Sequence, residues 1–241
     1  MSYRSDAHDS DQFRALGPTV PQLILRAAQD REGAAAIIHQ ATGRRITYRQ
    51  LINETRRAAK AFAQRGLQKG DIVCLASPNL PEYAVAALAV AMAGGAVTLL
   101  APHAAPAQWG SSLQTTGAKF LLTTRAYLRV GLLAASQAEV RHVYSFDAAP
   151  GAQHFAELFE TVMADDEKPT EALLDPQRDW MAWLLTPTGA VARHTHADVV
   201  AALAKLAPCA EVLDLTKTPL SEDAAFFALW HALWRGATVL L

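Results

Sequence analysis

The sequence predicts an α/β fold, a mostly parallel sheet flanked by helices. Three observations predict it. Short apolar runs, such as Asp71–Ala76 and Ala96–Leu100, read as strands covered on both faces. Helical patterns of about ten or more residues alternate with them, which is the βαβ arrangement with right-handed crossovers. Glycine and proline punctuate the joins, as at Ser77–Pro81 and Gly94–Gly95.

The elements follow in order. Residues 1–17 are polar and expected to be flexible, and 18–241 is expected to form one domain with a connector over about 148–179. Thr19 and Gln22 form a capping box with Pro21 in the first turn, so a helix runs to about Asp30. Ala34–His39 and Arg45–Thr47 flank the Thr42-Gly43 turn as a hairpin. Thr47 and Gln50 form a second capping box for a helix to about Arg65, with Leu51, Ala58 and Phe62 inward and Arg49, Arg57 and Lys60 outward. Gly66 is its C-cap. The Asp71–Ala76 strand leads to an Ala-rich helix from Pro81 to Ala93. Strand Ala96–Leu100, helix Pro106–Thr116, strand Lys119–Thr123, helix Tyr127–Ser136 and strand Val140–Phe146 come next. A short helix, Phe155–Met163, and the acidic run Asp165–Glu167 lie in the connector. The run reads as a solvated loop. Strand Met181–Leu185, a turn, helix Ala197–Leu206, strand Glu211–Leu215, helix Ala224–Arg235 and strand Gly236–Leu241 complete the chain.

Composition excludes several classes. The 241 residues are 51% hydrophobic and 19% charged, so the chain is globular. A net charge of −1 supplies no field for nucleic acid, which is not expected as a partner. No apolar run reaches membrane-span length and the N-terminus has no signal-peptide core. Cys74 and Cys209 are isolated, which fits a reduced, cytoplasmic protein.

The stretch that bears on function is Trp180–Val200, WMAWLLTPTGAVARHTHADVV. An apolar strand, a Thr/Gly turn and a helix opening near His196 make an outline that holds phosphate, through turn N–H groups and the helix dipole. Most phosphate loops add several glycines and a lysine. Here Gly189 stands alone, and Arg193 is the sole cation. His194 and His196 lie two apart, whereas a helical metal pair prefers i, i+4. They read as a helix-start cap or an anion contact, and no metal site is expected. Trp230 and Trp234, one helical turn apart with Phe226, Phe227 and His231, read as core packing. The other reading is an aromatic face for a partner or an acyl chain.

These residues resemble the signature loop of the adenylate-forming superfamily, which includes acyl-CoA synthetases, aryl-CoA ligases, luciferases and adenylation domains. Its loop reads T-S-G-T-T-G-x-P-K-G, followed by T-H. Thr186 resembles the first threonine, Thr188-Gly189 the central T-G and Thr195-His196 the T-H. About four residues are missing between these anchors, and the lysine has no counterpart. The resemblance extends from about Thr19 to Leu241. It includes the T-Y-x-x-L helix at Thr47, the G-D-x-V strand entry at Gly70, the N-x-x-E helix at Asn79 and the closing G-A-T-V strand. The family's P-L-F-H motif is matched by Pro219-Leu220-Ser221-Glu222, with an acid in the histidine position that lines the acyl pocket.

The resemblance implies a degenerate nucleotide or anion site at Thr186, Thr188, Gly189, Arg193 and His196, with Glu222 at the acyl-pocket position and no catalytic residue. Later family motifs, including the catalytic lysine, have no counterpart. The expectation is therefore a truncated, non-catalytic relative acting as a binding or assembly module in acyl or aryl acid metabolism. The alternative is an ATP-dependent acid–thiol ligase completed by another chain. No cofactor is expected, and ATP with Mg²⁺ only under the alternative. Ala224–Leu241 is expected to expose apolar surface and a strand edge, and so to support a homodimer or a partner protein.

Overall fold

The computed structural model describes residues 17–160, 172–185 and 190–241. The N-terminal stretch 1–16, the run Asp165–Glu167 and the turn residues Thr186, Thr188 and Gly189 lie outside the described residues.

Helix α1 (Val20–Gln29) and helix α2 (Tyr48–Gln64) begin at the two expected capping boxes, Thr19/Gln22 and Thr47/Gln50. Between them β1 (Ala35–His39) and β2 (Arg44–Thr47) pair antiparallel as the expected hairpin. Then β3 (Ile72–Ala76), α3 (Pro81–Met92), β4 (Ala96–Leu99), α4 (Pro106–Thr116), β5 (Phe120–Thr123), α5 (Leu128–Ser136) and β6 (His142–Ser145) alternate as predicted. The connector holds β7 (Gln153–His154) and α6 (Glu157–Glu160). β8 (Trp180–Leu185), β9 (Val191–Thr195), α7 (His196–Lys205), β10 (Val212–Asp214), α8 (Asp223–Arg235) and β11 (Thr238–Leu240) complete the order.

The strands form two sheets rather than one. One runs β7-β6-β5-β3-β4-β8-β9 and is parallel except for the β8–β9 pair. The other runs β10-β11-β1-β2 and unites the two ends of the described chain. Strand periodicity divides the first sheet between two cores. Val73 and Leu75 face the larger core, and Ile72, Cys74 and Ala76 face the smaller one with Trp109 and Leu113 of α4. Helix α3 is buried on every side, as its Ala-rich sequence requires. It packs on α2 and on β1, β3 and β4, so it fills the space between the sheets.

The expected free edge at the C-terminal strand is corrected. β11 lies between β10 and β1, with Val239 opposite both Leu213 and Ile37, so its backbone groups are used on both sides. The edges of this sheet are β10 and β2. Helix α8 also buries Phe226, Leu229, Trp230 and Leu233 against the main core, which agrees with the packing reading of Trp230.

Polar contacts close the second sheet on the end of α8 and tie it to the first sheet. The buried Tyr48 hydroxyl donates to the Ala237 carbonyl at 2.7 Å, with the Leu233 carbonyl at 3.3 Å, where α8 ends at the left-handed Gly236. The Asn79 amide donates to the Leu215 and Thr218 carbonyls and accepts from the Leu220 N–H, all within 2.9 Å. Replacing Tyr48 with phenylalanine leaves two inner carbonyls without that partner. Urea denaturation of Tyr48→Phe should show a loss of about 1–2 kcal/mol with an unchanged m-value, and no loss would contradict the role given to this hydroxyl.

Candidate functional site

The sequence reading expects a strand, a turn and a helix in direct succession. A second strand intervenes. β9 pairs antiparallel with β8 from Leu185–Val191 at the turn to Trp180–Thr195 at the far end. The first pair confines the loop to residues 186–190. The full pairing places the start of α7 beside the beginning of β8. Five residues of strand, roughly 16 Å, therefore separate the helix N-terminus from the turn.

The N-terminus of α7 is also fully used. Thr195 caps it, with its hydroxyl accepting from the Asp198 N–H and the Asp198 carboxylate accepting from the Thr195 N–H. Those bonds hold the Asp198 carboxyl below its ordinary range. The His196 N–H donates to the Asp179 carbonyl at 3.1 Å and the Ala197 N–H to the Pro176 carbonyl at 2.8 Å. The first amides of this helix thus have protein acceptors, and the helix-dipole part of the phosphate outline falls away.

His196 is fully buried. Its Nδ1 accepts from the Val20 N–H at 3.3 Å, which ties α7 to the first turn of α1, and its Nε2 is buried without a partner. Burial pushes its pKa down to about 4, although the Asp179 carboxylate opposes this. Asp179 is held in turn by Lys69 at 2.8 Å and accepts from the Asp175 N–H at 2.6 Å. His196 is therefore a neutral interior strut, apart from the turn it was grouped with.

Arg193 lies on β9, exposed overall, with its guanidinium carbon 4.3 Å from the centre of the Trp183 ring. Such stacking contributes about 0.5–1 kcal/mol at an exposed site. His194 sets its ring edge-on to Phe227 of α8 at 5.5 Å. Glu222 is exposed and precedes α8 without a side-chain capping bond. Of the expected site residues that are described, Arg193 lies on the hairpin, His196 is buried at the start of α7 and Glu222 precedes α8. Among the described residues, no group of three His, Cys, Asp or Glu side chains could hold a metal ion. The buried Cys74 thiol is pushed up to about 12 by desolvation, which leaves it inert as a nucleophile.

Sequence reasoning missed Asp179 and Asp198, and named Asn79 only as part of a scaffold motif, without its bonds across the sheets. The spacing Thr195-x-x-Asp198 is a variant of a capping box, and that signal was available. Asp179 and Asn79 act through partners roughly 110 and 140 residues away, beyond any local pattern.

Comparison with known proteins places this geometry. The family model for AMP-binding enzymes matches residues 24–241. The chain belongs to that family. Within the AMP-binding family, a stretch of 119 residues is 29% identical to 4-coumarate–CoA ligase-like 1 of Arabidopsis thaliana, covering 46% of this chain and 22% of that protein. The fold superposes on a long-chain-fatty-acid–CoA ligase from Archaeoglobus fulgidus with a TM-score of 0.83 and 16% identity, over 92% of this chain and 46% of that one. A benzoate CoA ligase from Burkholderia xenovorans gives 0.82 and 23%, over 93% and 45%. At these identities the solved structures show the fold alone. The chain spans about half the length of those structures, and the matched stretch about a fifth of the plant relative. No helix among the described residues is long and apolar enough to cross a membrane.

The state of His196 gives a pH test. Its folded pKa, about 4, lies below the unfolded value of 6.5, so unfolding takes up a proton between them. Its contribution is complete above pH 6.5 and is lost as pH falls toward 4. From pH 7 to pH 5 the stability read by urea denaturation should fall by about 2 kcal/mol less in His196→Gln than in the parent chain. An equal decline in both chains would contradict the assignment.

Proposed function

We propose that this AMP-binding family member acts as a binding or assembly module in acyl or aryl acid metabolism and does not activate a carboxylate by itself. The observation that carries this reading is the Leu185–Val191 pair, which leaves only residues 186–190 between two hydrogen-bonded strands. That span is short for a loop that must wrap a triphosphate with several backbone amides. Two further points support it. The α7 amides are already satisfied, and the stretch from Trp180 to Val200 contains no lysine. Transfer of an adenylyl group needs a cation and Mg²⁺ aimed at the developing charge. On this reading the chain alone does not hold ATP with Mg²⁺ for chemistry.

A partner surface would use the outer face of α8, where Phe227 and Trp234 are half-buried, or the β10 edge, and not β11. A cytoplasmic setting accords with the free thiols of Cys74 and Cys209.

The second reading is a ligase completed by another chain. The family match over residues 24–241 and the retained scaffold favour it.

Thermal denaturation with Mg-ATP separates the two. A ligand at 100 times its Kd stabilises by about 2.7 kcal/mol. The proposal expects an unmoved Tm and no ATP–pyrophosphate exchange by the purified chain. Carboxylate-dependent exchange by the chain alone would overturn it, and exchange that appears only with a second chain would favour the completed ligase.

A further inference from the structure

The first sheet carries different chemistry at its two ends. β8 runs parallel to β4, so the turn that follows it, residues 186–190, lies at the carboxyl end of the sheet. The amino end lies opposite. A short turn joins α2 to β3, so α2 closes at this amino end with Arg65 as its C-cap. β5, β6 and β7 are parallel, with Phe120 opposite His142 and Tyr144 opposite Gln153, so they begin there too. Topology thereby gathers Arg65, Lys119, Arg141, His142 and Gln153 from separate stretches of the chain.

The charges at this end do not cancel. The Lys119 ammonium meets the Glu139 carboxylate at 2.5 Å, and that bond holds the carboxyl below its ordinary range. The Asp71 carboxylate accepts from the Gln68 N–H at 2.9 Å. Among the described residues no carboxylate forms an ion pair with Arg65 or Arg141. The Arg65 guanidinium donates to the Gln153 side-chain oxygen at 2.8 Å, and the Arg141 backbone N–H donates to the Lys119 carbonyl at 2.7 Å. His142 is half-buried, and its ring stacks on Phe120 at 4.9 Å and on Tyr144 at 6.2 Å, which fixes its plane. The buried Tyr144 hydroxyl faces the Arg65 guanidinium. Burial holds the His142 pKa below its ordinary value, and the Arg65 and Arg141 charges lower it further, against the Arg65 carbonyl, which accepts from the ring.

We propose that Arg65, Arg141 and the His142 imidazole form a binding site for a phosphate dianion, either free or carried by a small phosphate ester. A guanidinium without a carboxylate partner offers its fork of donors to phosphate oxygens. A dianion beside the two arginines also offsets their repulsion of the imidazolium, so binding favours a proton on His142. The site lies at the opposite end of the sheet from the 186–190 turn, so it holds whether or not the chain binds nucleotide.

Sodium phosphate is titrated into the full chain at pH 7, with sodium chloride keeping the ionic strength constant and the His142 imidazole resonances followed by NMR. They should shift saturably with a Kd on the order of 1 mM. Sodium sulfate, which stays doubly charged, should bind in the same way and raise the pH at which His142 titrates. Arg141→Gln, a change at an exposed residue, should weaken phosphate about tenfold, and Arg45→Gln, on the second sheet, should leave it unchanged. Ribose 5-phosphate binding more tightly than inorganic phosphate identifies an ester as the ligand, and equal or weaker binding identifies the free ion. Three results would overturn the site: unmoved His142 resonances at about 20 mM phosphate, the same shifts with chloride alone at matched ionic strength, or unchanged affinity in Arg141→Gln.

Discussion

The pairing of β8 with β9 constrains everything around the signature stretch. Because the ladder closes at Leu185–Val191, the turn has only residues 186–190. Because it begins at Trp180–Thr195, α7 starts at the opposite end of the hairpin. There its amides meet Asp179, Pro176 and Thr195, and His196 turns inward to Val20. A helix terminus with satisfied donors has little left to offer an anion. One register thus sets both the reach of the loop and the loss of the dipole contact.

The rest of the fold makes that register hard to change. β8 is held by β4 on its other side, and the segment before it is fixed by the Lys69–Asp179 ion pair. The two sheets are tied by Asn79 and by the ion pair of Arg44 with Glu82, and Tyr48 closes the second sheet on the end of α8. The scaffold is therefore a pair of sheets joined by side-chain bonds.

Local physics made much of this readable. The boxes Thr19/Gln22 and Thr47/Gln50 marked two helix starts because the bonds that cap a helix are short-range. The apolar runs at β3, β4 and β5 announced strands covered on both faces. β9 was not readable, since Val-Ala-Arg-His-Thr lacks both a β-branched run and a clean alternation. β7 is two residues long, and the interior place of β11 depends on partners some 200 residues away. His196 illustrates the limit on the site: the sequence puts it beside the turn residues, and only the antiparallel register moves it into the core.

The most direct measurement is NMR on the hairpin, with and without saturating Mg-ATP. The account predicts cross-strand contacts between Leu184 and Ala192, protected amides up to the Leu185–Val191 pair, and no shift of Thr188 or Arg193 when Mg-ATP is added. Loss of that last pair on adding Mg-ATP, with saturable shifts of Thr188 and Arg193, would contradict it.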